Sequence, residues 1–210
     1  QTIMDEADII TFHTPLIKEG EYKTYHLADK EFFSLLKKKP VIINSARGGI
    51  IDTVAIKDAI KENKISGAII DCWENEPRID LEYLGLADIA TPHIAGYSAD
   101  GKANATRMSL ESIADFYGLA KQPVSLVKEP APASPVIDVN RYAKNVDRIY
   151  ETILDTYNPL DDFALLKASP DTFKGLRNEY PLRREYFAYT VINALEDEKV
   201  ILSDLGFKHE

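Results

Sequence analysis

Four short apolar runs most constrain what this chain can fold into: ADIITFH at 7–13, PVIIN at 40–44, GAIID at 67–71 and ADIAT at 87–91. Their nearly continuous, isoleucine-rich character is that of parallel strands covered on both faces. Helix-like stretches separate them. KEFFSLLKK is one, and TVAIKDAIKENK is another, with Val54, Ala55, Ile56, Ala59 and Ile60 recurring at the helical period. Asp52 stands before that second helix as an N-cap, and Asn63 with Gly67 brackets its exit. Repeated strand-helix-strand units require right-handed crossovers, so the expected fold class is α/β with a doubly wound sheet.

The polar residues just after these runs bear on function. Arg47 closes PVIINSARGGIID, Glu76 sits in GAIIDCWENEP and His93 follows in ADIATPHIAGY. Ligands of open α/β sheets bind beyond the carboxyl ends of the strands, so three such residues can converge on one small molecule. The two glycines after Arg47, Gly48 and Gly49, allow backbone to approach a ligand closely. A catalytic site is the leading reading.

Composition excludes several alternatives. With 210 residues, 45% of them hydrophobic, the chain can bury one large core or two modest ones. A formal charge of -9 argues against a nucleic-acid partner, because phosphate binding needs a basic face. No apolar run approaches the roughly 20 residues that span a bilayer, and the start does not resemble a secretory signal, so no membrane partner is expected. The single cysteine, Cys72, lies within an apolar run and reads as a small buried hydrophobe, which fits a reducing, cytoplasmic compartment. Cysteine and histidines lack ligand spacing, so no metal is expected.

After the fourth run, SADGKANATRMSLESIADFYGL reads as a long amphipathic helix. The stretch KQPVSLVKEPAPASP follows, and its four prolines, Pro123 to Pro135, mark a linker. The expected boundary therefore falls at 120/121. Residues 1–120 form part of a nucleotide-binding-type domain with the following helix, and 121–210 form a small, aromatic-rich α+β module. Within the module VIDV suggests a strand and RIYETILDTY a helix, and its apolar face is expected to meet another subunit. No G-x-G-x-x-G phosphate loop occurs, so the chain is expected to be part of a longer polypeptide. In a 3-2-1-4-5-6 sheet, ADIITFH would then be strand 3, with the missing strands 1 and 2 between it and PVIIN.

HTPL at 13–16, NSARGGIID at 44–52, DCWENEP at 71–77 and TPHIAGY at 91–97 resemble successive signatures of the D-2-hydroxyacid dehydrogenases. HTPLIKEGEYKTYHLAD, HIAGYSADGK and LRNEYPLRREYFAYTV resemble a branch of that family acting on a phosphorylated hydroxy acid, and the last extends the likeness across the chain. Tyr97 and Gly101-Lys102 stand where the parent pattern has other residues, which favours that branch. The resemblance implies the second part of a Rossmann-like NAD-binding domain, then a dimerisation module making a homodimer through 121–210. NAD is the implied cofactor. His93 is implied to be the general acid/base, a role suited to an imidazole. Glu76 would orient the imidazole and favour its protonated form. Arg47 would hold the substrate carboxylate bidentately and polarise the reacting oxygen. Thr14, Ser45, Ala46, Arg47, Asp71 and Gly96 match cofactor-lining positions, Asp71 accepting from the carboxamide, and Tyr97 matches a substrate-contacting one. His13 and His26 are assigned packing or local hydrogen bonds. Two other readings stand beside this one: another D-2-hydroxyacid dehydrogenase of glycerate or phosphoglycerate type, and a non-catalytic NADH-sensing interaction protein.

Overall fold

The computed structural model describes residues 2–121, 124, 126–143 and 145–210. Pro123, the first proline of the expected linker, lies outside them. Two compact units divide the chain: the part up to Ala95 joined by Pro159–Tyr180, and Gly96–Asn158 joined by Pro181–Glu210.

The first unit begins with a short helix α1 (Thr2–Glu6) and carries four parallel strands, β1 (Ile9–Phe12), β2 (Val41–Asn44), β3 (Gly67–Ile70) and β4 (Ile89–Ala90). They connect through α2 (Lys30–Leu35), α3 (Thr53–Lys61) and α4 (Leu81–Leu86). Each of these three helices starts on an aspartate whose carboxylate accepts first-turn amides: Asp29 from Phe32, Asp52 from Val54 and Ala55, Asp80 from Tyr83. Each such cap is worth about 1 kcal/mol. After α3 the chain turns out through Asn63 at φ 55°, a left-handed conformation that asparagine tolerates.

The strand order is β1-β2-β3-β4, and here the expected arrangement is corrected. β1 pairs directly with β2 from Ile9↔Val41 to Phe12↔Asn44, so no strand lies between ADIITFH and PVIIN. The backbone just outside the ladder holds this adjacency, with Lys37 N donating to Met4 O and Val41 N to Asp8 O, both at 2.9 Å. Crossover through the six-residue helix α2 therefore joins neighbouring strands. Along β1 the burial alternates, Ile10 and Phe12 facing the core while Ile9 is exposed, rather than covering both faces. Ile42 of β2, Ile56 of α3 and Ile70 of β3 are fully buried in this unit's core, each contributing about 1.5–3 kcal/mol.

Two helices from late in the chain complete this unit. α5 (Ala99–Tyr117) and α6 (Arg148–Thr156) belong to the second unit, but α7 (Pro159–Ala168) packs on β4, and α8 (Phe173–Asn178) follows it. Leu166 and Phe173 are buried in the first unit's core. The boundary expected at 120/121 is thus displaced, because these two apolar side chains find their cover on the sheet rather than among the aromatics that flank them in sequence.

In the second unit Ser98 caps α5 by accepting from Gly101 N, and Gly118 ends it in the left-handed conformation. β5 (Val136–Asp138), β6 (Thr190–Ile192) and β7 (Lys208–His209) pair in parallel, with α9 (Glu196–Asp204) between the last two. Ile137, Val139, Val191, Leu202 and Phe207 form its core. No helix among the described residues is long and apolar enough to cross a membrane.

Candidate active site

The site is assembled where β2, β3 and β4 end. Asn44, the last residue of β2, is 1% exposed and would be costly to bury unpaired. Its Nδ2 donates to Arg47 O (3.1 Å) and Cys72 O (3.4 Å), while its Oδ1 accepts from Ala46 N (3.2 Å). One amide thereby ties the arginine turn to the segment that leads to Glu76. The turns approach so closely that a Cβ on Gly48 would lie 1.9 Å from Trp73 O, which explains glycine there sterically.

After β3, Asp71 is buried, and its carboxylate organises the histidine loop. Oδ1 accepts from Thr91 Oγ1 (2.7 Å) and Ile94 N (2.6 Å), and Oδ2 from Ala95 N (3.1 Å). The backbone adds His93 N to Asp71 O at 2.9 Å. Trp73 Nε1 donates to Thr91 O (3.0 Å), and Arg177 Nε of α8 donates to His93 O (3.3 Å). These bonds hold His93 at φ 59°, a conformation a non-glycine residue adopts only when its surroundings enforce it.

Glu76 and His93 then meet. Glu76 Oε2 lies 2.8 Å from His93 Nδ1, and its Oε1 accepts from Trp73 N at 2.8 Å. With Nδ1 turned to the carboxylate, Nε2 is the nitrogen left to exchange a proton. Arg47, Glu76 and His93 line one cavity of about 340 Å³, together with Lys18, Tyr25 and Gly49. A second cavity, about 600 Å³, is lined by His13–Leu16 and Ser45–Arg47. Arg47 and Leu16 border both, and Arg47 Nη1 donates to Ala46 O at 2.6 Å.

Thr14 Oγ1 is buried beside the second cavity and has no hydrogen-bond partner among the described residues. An orphaned hydroxyl next to a roomy polar cleft fits a polar ligand that is absent from the structure. Cys72 Sγ also lies within 4.8 Å of ligand atoms of Glu76 and His93. Burial, followed by the Asp71 and Glu76 charges, pushes its thiol far up.

Six of the residues singled out by sequence therefore gather around the two cavities: Thr14, Ser45, Ala46, Arg47, Glu76 and His93. Asp71 lies beneath the histidine loop with its oxygens engaged. Gly96 and Tyr97 open the second compact unit, where Lys102 Nζ sits 4.1 Å from the Tyr97 ring centroid. Sequence reasoning missed Asn44, Trp73 and Arg177. For Asn44 a signal was available, since a polar amide ending an apolar strand needs buried partners. For Arg177 there was none, because its partner is 84 positions away.

Residues 1–95 match the family model described as D-isomer specific 2-hydroxyacid dehydrogenase, NAD binding domain. That stretch of the chain is therefore similar to the NAD-binding domain of the D-2-hydroxyacid dehydrogenases. Its relatives agree. An erythronate-4-phosphate dehydrogenase of Bacteroides thetaiotaomicron is 53% identical over 192 residues, covering 91% of this chain and 53% of that protein. Enzymes of the same name from Porphyromonas gingivalis and Photorhabdus laumondii are 44% and 35% identical, over 98% and 100% of this chain and 55% and 56% of theirs. The chain spans about half the length of the curated relatives it matches.

Proposed function

We propose that this chain is part of a D-2-hydroxyacid dehydrogenase and serves the NAD-dependent oxidation of 4-phospho-D-erythronate to 2-oxo-3-hydroxy-4-phosphobutanoate, a step of pyridoxal 5'-phosphate biosynthesis in the cytoplasm. The carrying observation is the Glu76–His93 pair facing the same cavity as Arg47. Similarity to the three erythronate-4-phosphate dehydrogenases supports the choice of substrate.

In this reading Arg47 holds the substrate carboxylate with its planar fork of donors, which orients C2 and its hydroxyl toward His93. His93 Nε2 accepts the C2 hydroxyl proton, while Glu76 on Nδ1 keeps the ring oriented and balances the imidazolium charge that forms. A bound NAD would supply the acceptor for the hydride leaving C2. Thr14 and the Ser45-Ala46-Arg47 turn would hold that cofactor, and Asp71, matched to a carboxamide contact by resemblance, also shapes the loop that carries His93. The first cavity, about 340 Å³, has room for a small acid. Gly96 and Tyr97 are assigned cofactor and substrate contacts on resemblance alone. Residues 121–210 are proposed to meet a second copy; Leu126 and Phe187 there are exposed apolar side chains.

The test is NAD-linked turnover of 4-phospho-D-erythronate by the natural full-length protein, with D-glycerate and 3-phosphoglycerate as controls. Turnover confined to the phospho-erythronate, falling at least ~100-fold in His93→Ala, is the expected outcome. Preference for a control acid moves the chain to another member of the family. NADH-responsive partner binding that survives His93→Ala, with no turnover, gives the sensing role instead.

A further inference from the structure

A second histidine–carboxylate cluster lies behind the catalytic one, within the same compact unit. His26 Nε2 is 2.8 Å from Glu74 Oε1, and its Nδ1 is 3.4 Å from Asp52 Oδ2. The other oxygen of Glu74 accepts from Thr53 N (3.0 Å) and Thr53 Oγ1 (2.6 Å) at the start of α3. Both His26 and Glu74 are mostly buried. His26 also donates from its backbone N to Gly49 O at 2.8 Å. The Tyr25 ring stacks on its imidazole with centroids 3.9 Å apart, and a Cβ on Gly49 would meet that same ring at 3.2 Å.

His26 therefore touches the Arg47-Gly48-Gly49 turn through its main chain and the Glu74-Asn75-Glu76 turn through its side chain. Backbone geometry in the cluster is unusual twice over. His26 has φ 54° and Asn75, between the two glutamates, has φ 61°. Left-handed backbone is uncommon for residues other than glycine, although histidine and asparagine tolerate it better than most, and here one residue beside each turn adopts it. Helix capping accounts for part of the arrangement, with Asp52 Oδ1 taking the Val54 and Ala55 amides and Glu74 Oε2 taking Thr53 N, but it does not call for the imidazole, which links Glu74 to Asp52.

We infer that His26 and Glu74 are positioning residues that fix the spacing between Arg47, which binds the carboxylate, and Glu76, which holds His93. Neither touches the reacting atoms in this assignment. Each acts by locking one turn against the other, and Asp52 and Tyr25 hold the imidazole from its remaining sides. The inference rests on the dehydrogenase reading above, because it needs a reaction in which the arginine and the histidine act on one substrate.

The experiment compares wild type, His26→Ala, His26→Gln and Glu74→Gln in the natural full-length protein. It measures kcat and KM on the best acid of the substrate panel, NADH affinity by fluorescence titration, and the unfolding midpoint. His26→Ala and Glu74→Gln are expected to lower kcat about 10-fold, with NADH affinity within twofold of wild type. His26→Gln, which can still donate to Glu74, is expected to recover most of the loss. A double variant, His26→Ala with Glu74→Gln, should lose no more than either single, since both break one clamp. The inference is overturned if the singles keep kcat within twofold, if their losses multiply, or if glutamine at 26 recovers nothing. A wild type inactive on every acid overturns the dehydrogenase reading and the clamp with it, whereas an active wild type with unaffected variants overturns the clamp alone.

Discussion

Two aspartates, one in each compact unit, are buried to nearly the same degree, yet they are satisfied in different ways. Asp71 is 6% exposed and collects a hydroxyl and two backbone amides from the loop around His93. Asp100 is 5% exposed and meets Arg184 through three guanidinium contacts of 2.9–3.1 Å, with Glu185 N at 2.7 Å. Among the described residues, only the second is paired with a cation. A buried charge with a cation is chiefly a fastening between distant parts of the chain, here the start of α5 and the return at 183–185. A buried carboxylate served by neutral donors of one loop dictates that loop's shape instead, and the loop it shapes carries the histidine of the site. The contrast separates a residue that holds a unit together from one that aims the His93 imidazole.

Asp100→Asn is the sharpest way to break the contrast. It leaves the Arg184 guanidinium largely buried without its counter-ion and is expected to cost about 3–5 kcal/mol, read as a lower urea midpoint. Acid should act in the same direction. Burial opposes ionisation of Asp100, but Arg184 and the Glu185 amide overcome it and hold the carboxyl below its ordinary value near 3.8. A depressed carboxyl contributes stability fully above the unfolded value and loses it as pH falls through the folded one. The midpoint of the wild type should therefore fall in acid below about pH 4, and that part of the fall should vanish in Asp100→Asn. Asp71→Asn should cost less, about 1–3 kcal/mol, since the amide still accepts through one oxygen. It should also reduce turnover, which Asp100→Asn should not; equal stability losses, or equal activity losses, would erase the distinction between the two aspartates.

Gly48→Ala sharpens the comparison from the site side. The new methyl would overlap the Trp73 carbonyl, forcing the arginine turn away from the Glu76 turn at about 1–3 kcal/mol. KM for the acid should rise more than the unfolding midpoint falls. The smallest effect is expected from Lys38→Met, which removes the exposed Lys38–Asp8 pair at 2.9 Å. Such pairs contribute under about 1 kcal/mol, so wild type and variant should converge in 1 M salt. A larger, salt-independent loss would show that the junction of β1 with β2 depends on this pair.

Much of the local structure is legible in the sequence because it depends on neighbours. Asp52 caps α3 as its position before the helical period suggests, the four apolar runs are strands, and the long helix after His93 spans Ala99–Tyr117. Less legible was strand adjacency. The runs ADIITFH and PVIIN look alike, and nothing in either names its partner, so the expected gap between them gave way to direct pairing. The site was readable as a set of residue types at strand ends, but not as wiring. Asn44, Trp73, His26 and Glu74 earn their partners from turns brought together by the sheet, and a histidine's partner cannot be read from its neighbours in sequence.

By itself the sequence determined the alternation of strands and helices, the aspartate caps, and three polar residues of complementary chemistry beyond successive strands. These follow from periodicity and from bonds that close within a few residues. Tertiary structure alone decided that β1 lies against β2, that Leu166 and Phe173 return to the first core, and that Asp71 faces the backbone of the His93 loop. The physical reason is that burial rewards any apolar surface and any satisfied polar group without regard to separation along the chain, so only the folded geometry selects which partners meet.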